Sequence, residues 1–229
     1  MLDVAFTRAE IRPADVAVVI DVLRATSSVT QALAAGYRRV LCCDSLERAA
    51  ALRGDGRVLA GEQGFLPVEG FDLGNSPGGF QEPLGTEVVL ATTNGSPTIV
   101  AAWEGADEVL LGSLLNLDAV MEALDGGADI TFVCSGTDGR FALEDAYAAG
   151  RMLARVPGER SDAARAAQCV ASCYETPLDA LGASADATAL RETGQEEDID
   201  WCARESVLAV VPRVTGVDEG VAFVSPGKT

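Results

Sequence analysis

The chain has 229 residues, 48% of them hydrophobic and 5% aromatic, enough for one α/β domain with a core of Ala, Val and Leu. Its formal net charge is −18, with a single lysine, Lys228, and no basic stripe, which argues against nucleic acid or an anionic membrane surface as a partner. Histidine is absent, so Ser-His-Asp triads, histidine phosphatases, Cys-His pairs and mixed Cys/His zinc sites are excluded.

VAVVIDV (16–22) predicts a buried strand and SSVTQALAAG (27–36) a helix stopped by Gly36. RRVLCC (38–43) follows as a strand, SLERAAALRG (45–54) as a helix capped by Ser45 and ended by Gly54, and RVLAG (57–61) as a third strand. Residues 62–83 are rich in Gly and Pro and show no period, which predicts a long functional or mobile loop. Strands are then expected at 87–93, 108–112 and 129–135, alternating with helices at 96–105, 116–124 and 143–156. Beyond Pro157 come three helical stretches, 161–175, 177–183 and 185–192, and two apolar strand-like runs, 206–214 and 220–225. The alternation predicts a single domain over 1–229, a three-layer α/β/α sandwich on a largely parallel sheet made mixed by the last strands. The N-terminus MLDVAFTRAEI lacks an apolar signal region, no window of about 18 apolar residues exists, and no cysteines have C-x-x-C spacing. A cytoplasmic protein with reduced thiols is expected.

The chemistry left open is carboxylate, thiol, hydroxyl, guanidinium and backbone amide, which points to a hard cation with oxygen ligands or to a lone activated cysteine. Cys134-x5-Arg140 has the spacing of a cysteine-phosphatase loop, but six cysteines and 16 arginines make one such spacing an ordinary coincidence, and Asp138 inside it opposes both a thiolate and a phosphate. The strand ends are more informative, because ligands of such sheets bind where strands lead into helix N-termini. Asp21 and Arg24 precede Thr26 and Ser27 at a helix start, Glu62 opens the long loop, Thr93-Asn94-Gly95 opens another helix, and Ser135-Gly136 leads to Glu144 and Asp145. Singly, Asp21 could be a strand-end hydrogen-bonder, Thr26 or Ser27 an N-cap, and Glu144 and Asp145 complements of a helix dipole. Together they would make one hard-cation and oxyanion site.

The stretches VVIDVLRATSSVTQALAAG (18–36), LAGEQG (59–64), GFDLGNSP (70–77), VVLATTNGS (88–96), LLGSLLN (110–116) and VCSGTDGRFALEDAYAAG (133–150) resemble the 2-phosphosulfolactate phosphatase (ComB) family. The resemblance implies a three-layer α/β/α fold with a mixed sheet and Mg²⁺-dependent removal of phosphate from 2-phospho-3-sulfolactate, a small anionic phosphate ester. It leaves room for a homodimer. Carried onto this chain, its motif positions are Asp21, Arg24, Thr26, Ser27, Glu62, Asn75, Ser76, Thr93, Asn94, Gly95, Ser135, Gly136, Glu144 and Asp145. Asp21, Glu62, Glu144 and Asp145 are the expected Mg²⁺ ligands, with Asp21, Arg24, Glu144 and Asp145 as the catalytic set. Arg24 and the remaining positions are expected to hold the phosphate ester. Two arginines of the family pattern are missing: G-E-R becomes Gly61-Glu62-Gln63, and N-G-T-R-A becomes Asn94-Gly95-Ser96-Pro97-Thr98. The alternatives are a non-catalytic small-anion-binding protein of the same fold and a cysteine phosphatase using Cys134.

Overall fold

The computed structural model describes residues 1–124 and 127–227. In chain order the elements are β1 (Leu2–Ala5), β2 (Ala14–Ile20), α1 (Ala25–Ala35), β3 (Arg39–Cys43), α2 (Leu46–Ala51), β4 (Arg57–Gln63), β5 (Leu66–Pro67), β6 (Glu87–Ala91), α3 (Gly95–Ala102) and β7 (Ala106–Gly112). They continue with α4 (Leu117–Glu122), β8 (Ile130–Cys134), α5 (Leu143–Leu153), α6 (Asp162–Ser172), α7 (Pro177–Gly182), α8 (Ala185–Glu192), α9 (Glu197–Cys202), β9 (Pro212–Asp218) and β10 (Val221–Pro226).

The strands form one sheet in the order β1-β8-β2-β7-β9-β10-β3-β6-β4-β5. Two parallel blocks, β1-β8-β2-β7 and β3-β6-β4, are joined through the antiparallel hairpin β9–β10. Successive side chains of a strand face opposite sides, so a strand covered on both faces must be apolar at every position. In β2, Val16, Val18 and Ile20 enter one apolar cluster with Tyr147 and Met152 of α5, while Ala17 and Val19 enter another with Val29 and Leu33 of α1. The same split in β3 sends Val40 and Cys42 toward α1 and α3, and Leu41 and Cys43 toward α2. This is the expected three-layer arrangement on a mostly parallel, mixed sheet.

Several local expectations shift. Ser45 caps α2 by accepting the Arg48 N–H at 3.3 Å, and Gly36 ends α1 in the left-handed region, as the sequence suggests. Helix α2, however, ends at Ala51 rather than Gly54. The segment 62–83 is not without structure: β4 runs on to Gln63, Leu66–Pro67 pairs back on it, and the 3₁₀ turn Pro77–Phe80 buries Phe80 beneath Tyr37. The run 206–214 becomes a strand only from Pro212; before it, the Ser206 and Leu208 amides donate to Leu114 and Leu115 carbonyls. Among the described residues no helix is long and apolar enough to cross a membrane.

Candidate active site

Residues that follow or end β2, β4, β6 and β8 line one cavity of about 50 Å³. Asp21 comes from the end of β2, Glu62 from β4, Thr93 and Asn94 from the turn after β6, and Gly136 from the turn after β8; Glu144 and Asp145 rise from the first turn of α5. Asn75, Arg24, Thr137, Asp138 and Asp186 complete its polar wall.

Three of the carboxylates, Asp21, Asp145 and Glu62, are fixed by backbone donors. Asp21 Oδ1 accepts the Ala25 N–H at 2.9 Å, so Asp21, rather than Thr26 or Ser27, receives the free amide at the start of α1. Asp145 takes the Val22 N–H on Oδ1 at 2.9 Å and the Gly136 N–H on Oδ2 at 3.1 Å, tying the end of β2 to the turn after β8. Glu62 accepts the Thr93 N–H at 2.6 Å and the Phe65 N–H at 2.8 Å. A Cβ built on Gly95 would collide with Asp21 Oδ2 and Ala25 Cβ, so the bare backbone there is what lets α3 approach Asp21.

The electrostatics are those of like charges held out of water. Burial pushes the Asp21 carboxyl up to about 7; the Ala25 amide pulls it back, and Asp186 and Glu62 add repulsion. Burial also holds Glu144 and Asp145 well above the usual carboxylate range, reinforced by Asp145 and Asp21 respectively. Asp186 is raised by burial against the pull of the Thr137 hydroxyl, which lies 2.8 Å from both of its oxygens.

Arg24 is the cation on this wall among the described residues, and three of its five N–H donors are taken. Nη1 donates to Asp198 at 2.6 Å and to Gln195 at 2.5 Å, and Nη2 to the Phe65 carbonyl at 3.0 Å. Its structural place is therefore a clamp between α1, the 62–83 segment and α9 rather than a free guanidinium. Asp198 is completed by the Ser76 hydroxyl at 2.5 Å.

Of the fourteen positions singled out in the sequence, Asp21, Arg24, Glu62, Asn75, Thr93, Asn94, Gly136, Glu144 and Asp145 line the cavity. Thr26, Ser27, Ser76, Gly95 and Ser135 stand behind it. Thr26 and Ser27 hydroxyls bond the Asp21, Gly112 and Val22 carbonyls. The Ser135 amide donates to Ile20 and the Gly136 amide to Asp145, so neither is left to bind an anion. Asn75, only 3% exposed, carries a buried side-chain oxygen with no partner. Gln63 is exposed, and neither it nor Pro97 lines the cavity. Asp186 was not singled out in the sequence; behind the N-cap Ser184 it is indistinguishable from an ordinary first-turn acid.

Cys134 lies wholly inside the core, with its thiol pushed far above the ordinary range by burial and by Asp145 and Glu144. Burial opposes its thiolate and Cys134 does not line the cavity, which argues against the cysteine-phosphatase alternative. A cluster of hard oxygen donors facing a cavity with no free positive charge can hold a cation. As placed here, no group of three or more acidic or thiol side chains among the described residues is arranged to hold a metal ion.

A family profile described as 2-phosphosulpholactate phosphatase matches residues 4–216. The chain belongs to this family. As a 2-phosphosulfolactate phosphatase family member, a phosphoric monoester hydrolase, it is 40% identical over 222 residues to a probable 2-phosphosulfolactate phosphatase of Thermus thermophilus, covering 91% of this chain and 92% of that one. Similar proteins of the same printed name occur in Thermotoga petrophila, 39% identical over 206 residues with 88% and 90% coverage, and in Deinococcus radiodurans, 38% identical over 217 residues with 90% of each chain covered. The family match spans the cavity's carboxylates and the α6–α9 segment alike.

Proposed function

We propose that this phosphatase is Mg²⁺-dependent and hydrolyses 2-phospho-3-sulfolactate, or a related small 2-phospho acid, to 3-sulfolactate and phosphate. The observation that carries this reading is the charge imbalance of the cavity. Asp21, Glu62, Glu144, Asp145 and Asp186 converge on it, while Arg24 is neutralised by Asp198. Such a wall repels a dianionic phosphate unless a cation joins it. Mg²⁺ suits the donors present, because it takes one or two carboxylates, keeps several waters and binds phosphate oxygens.

Asp21, Glu62, Glu144 and Asp145 are the carboxylates of which one or two would hold the ion, with water completing its shell. Bound there, Mg²⁺ supplies the charge that offsets the phosphoryl oxygens in the transition state. The chain's own groups do the rest. The partnerless Asn75 Oδ1 is an acceptor, so it would face the ion or a water rather than a phosphoryl oxygen. Whichever carboxylate of the set is left off the ion orients the attacking water. Arg24 positions the Phe65 segment over the cavity through its carbonyl bond and excludes bulk water.

Phosphate release from 2-phospho-3-sulfolactate, measured with Mg²⁺, after chelation with EDTA and after Mg²⁺ is restored, tests the reading. Turnover is expected to vanish on chelation and return on re-addition, and Cys134→Ala is expected to keep it. Hydrolysis that survives EDTA refutes the metal dependence. Ligand-induced stabilisation without turnover of any phosphate ester would favour the binding-only alternative.

A further inference from the structure

The acidic cavity is too small for a whole phospho acid. Its 50 Å³ has room for roughly three to five waters, the space of a phosphoryl group with an ion, whereas small-molecule sites usually span about 300–1,000 Å³. A second cavity of about 430 Å³ lies beside it. The two share Thr137, Asp138, Glu144 and Asp186 as a common wall, and the second continues past Arg140, Phe141 and Leu143 to the turn at Ser184.

The rim of this groove is built to be rigid. Thr137 and Arg140 exchange both backbone hydrogen bonds at 3.0 Å, and the two residues between them, Asp138 and Gly139, have φ of 52° and 73°. Two left-handed central residues make the Asp-Gly type I′ turn, whose geometry is tightly defined. Arg140 is thereby held at a fixed place on the rim, while its guanidinium makes no hydrogen bond or ion pair among the described residues. Phe141 follows it, half exposed and packed at a 55° tilt against Phe6 with ring centroids 5.3 Å apart, an apolar wall beside a free cation. Of the two arginines lining these cavities, Arg24 is ion-paired with Asp198 and has three of its five donors taken, whereas the Arg140 guanidinium has no partner among the described residues.

We propose that Arg140 determines specificity: its guanidinium receives the second anionic group of the substrate, a sulfonate or carboxylate, while the phosphoryl group occupies the acidic cavity and the carbon chain lies against Phe141. A planar guanidinium with free donors suits either oxyanion. The proposal rests on the phosphatase reading above, and it accounts for recognition of a multiply charged ester by a protein of net charge −18.

Titration calorimetry in the presence of Mg²⁺, with 3-sulfolactate and with inorganic phosphate, tests it on the wild type, Arg140→Ala and Arg140→Lys. Arg140→Ala is expected to weaken 3-sulfolactate roughly ten- to a hundredfold, the loss of a charge-assisted hydrogen bond, and phosphate by less than about threefold. Arg140→Lys should recover part of the sulfolactate affinity. Unchanged sulfolactate affinity in Arg140→Ala, equal losses for both ligands, or a wild type that does not bind 3-sulfolactate would overturn the proposal. Arg140-dependent binding of 3-sulfolactate by a wild type that releases no phosphate from 2-phospho-3-sulfolactate would support Arg140's role while refuting the hydrolytic reading.

Discussion

Asp21 shows how one side chain can serve fold and site with different oxygens. Oδ1 takes the Ala25 amide and starts α1; Oδ2 faces the close approach of Gly95. Asparagine preserves the first bond but not the charge that burial and the neighbouring carboxylates oppose. Asp21→Asn is therefore expected to stabilise the metal-free protein by roughly 0.5–2 kcal/mol, as relief of a strained functional group commonly does, while abolishing turnover and shrinking the Mg²⁺-induced rise in Tm. Thermal melts with EDTA and with Mg²⁺ check this; a destabilised variant that keeps its Mg²⁺ response would contradict it. Asp21, Glu62, Glu144 and Asp145 were legible because each is an acid just at or after a predicted strand, or at the helix following one. Arg24 was legible as a residue but not in its role. Its partners Phe65, Gln195 and Asp198 lie 41, 171 and 174 positions away, and nothing local in the sequence couples them.

At the scale of elements, the same clamp decides how α9 is docked. α9 is short, its first turn holds Glu197, Asp198 and Asp200, and beside the buried Ile199 and Cys202 its polar attachment runs through Asp198, which receives both Arg24 and Ser76. With side chains 1% and 7% exposed, the ion pair is cut off from solvent, so removing one partner strands the other charge. Asp198→Ala is expected to cost about 3–5 kcal/mol, and adding Arg24→Met to an Asp198→Leu background should recover much of the loss because no charge is then left unpaired. Urea unfolding of the single and double variants measures both; a double variant no more stable than Asp198→Ala would show that the clamp's hydrogen bonds matter more than its charge. Elements of this sort explain what the sequence hid. α9 carries too many acids to show an apolar face, and β1 has only four residues, too few for a periodic signal although Leu2 and Val4 are buried. β2, β3 and β6 were plain because burial on both faces demands an uninterrupted apolar run.

The whole molecule concentrates its acids around a buried site, and this fixes how stability follows pH. Asp21, Glu144, Asp145 and Asp186 have folded pKa values above their unfolded ones, with Asp21 going from 3.8 to about 7. A raised value means that the folded state binds protons the unfolded chain has already released, so stability from these groups is full below the unfolded pKa and is lost as pH rises through the folded one. Glu87 works in the other direction. Although burial opposes it, Arg38, Arg39 and Arg57 hold it below 4.5, so its contribution is present above that value and fades only in stronger acid. The metal-free protein should therefore become more stable as pH falls from about 8 to about 5. The general repulsion of a chain with net charge −18 acts with the same sign, but it is screened by salt over roughly 8–10 Å, whereas the buried cluster is not. Calorimetric Tm values in EDTA at 0.15 M salt should keep their downward slope with rising pH, Mg²⁺ should flatten it, and Asp21→Asn should remove part of it. A Tm that climbs with pH under chelation would contradict the raised carboxylates, and a slope that disappears on adding salt alone would place the dominant charge repulsion on the surface rather than in the site.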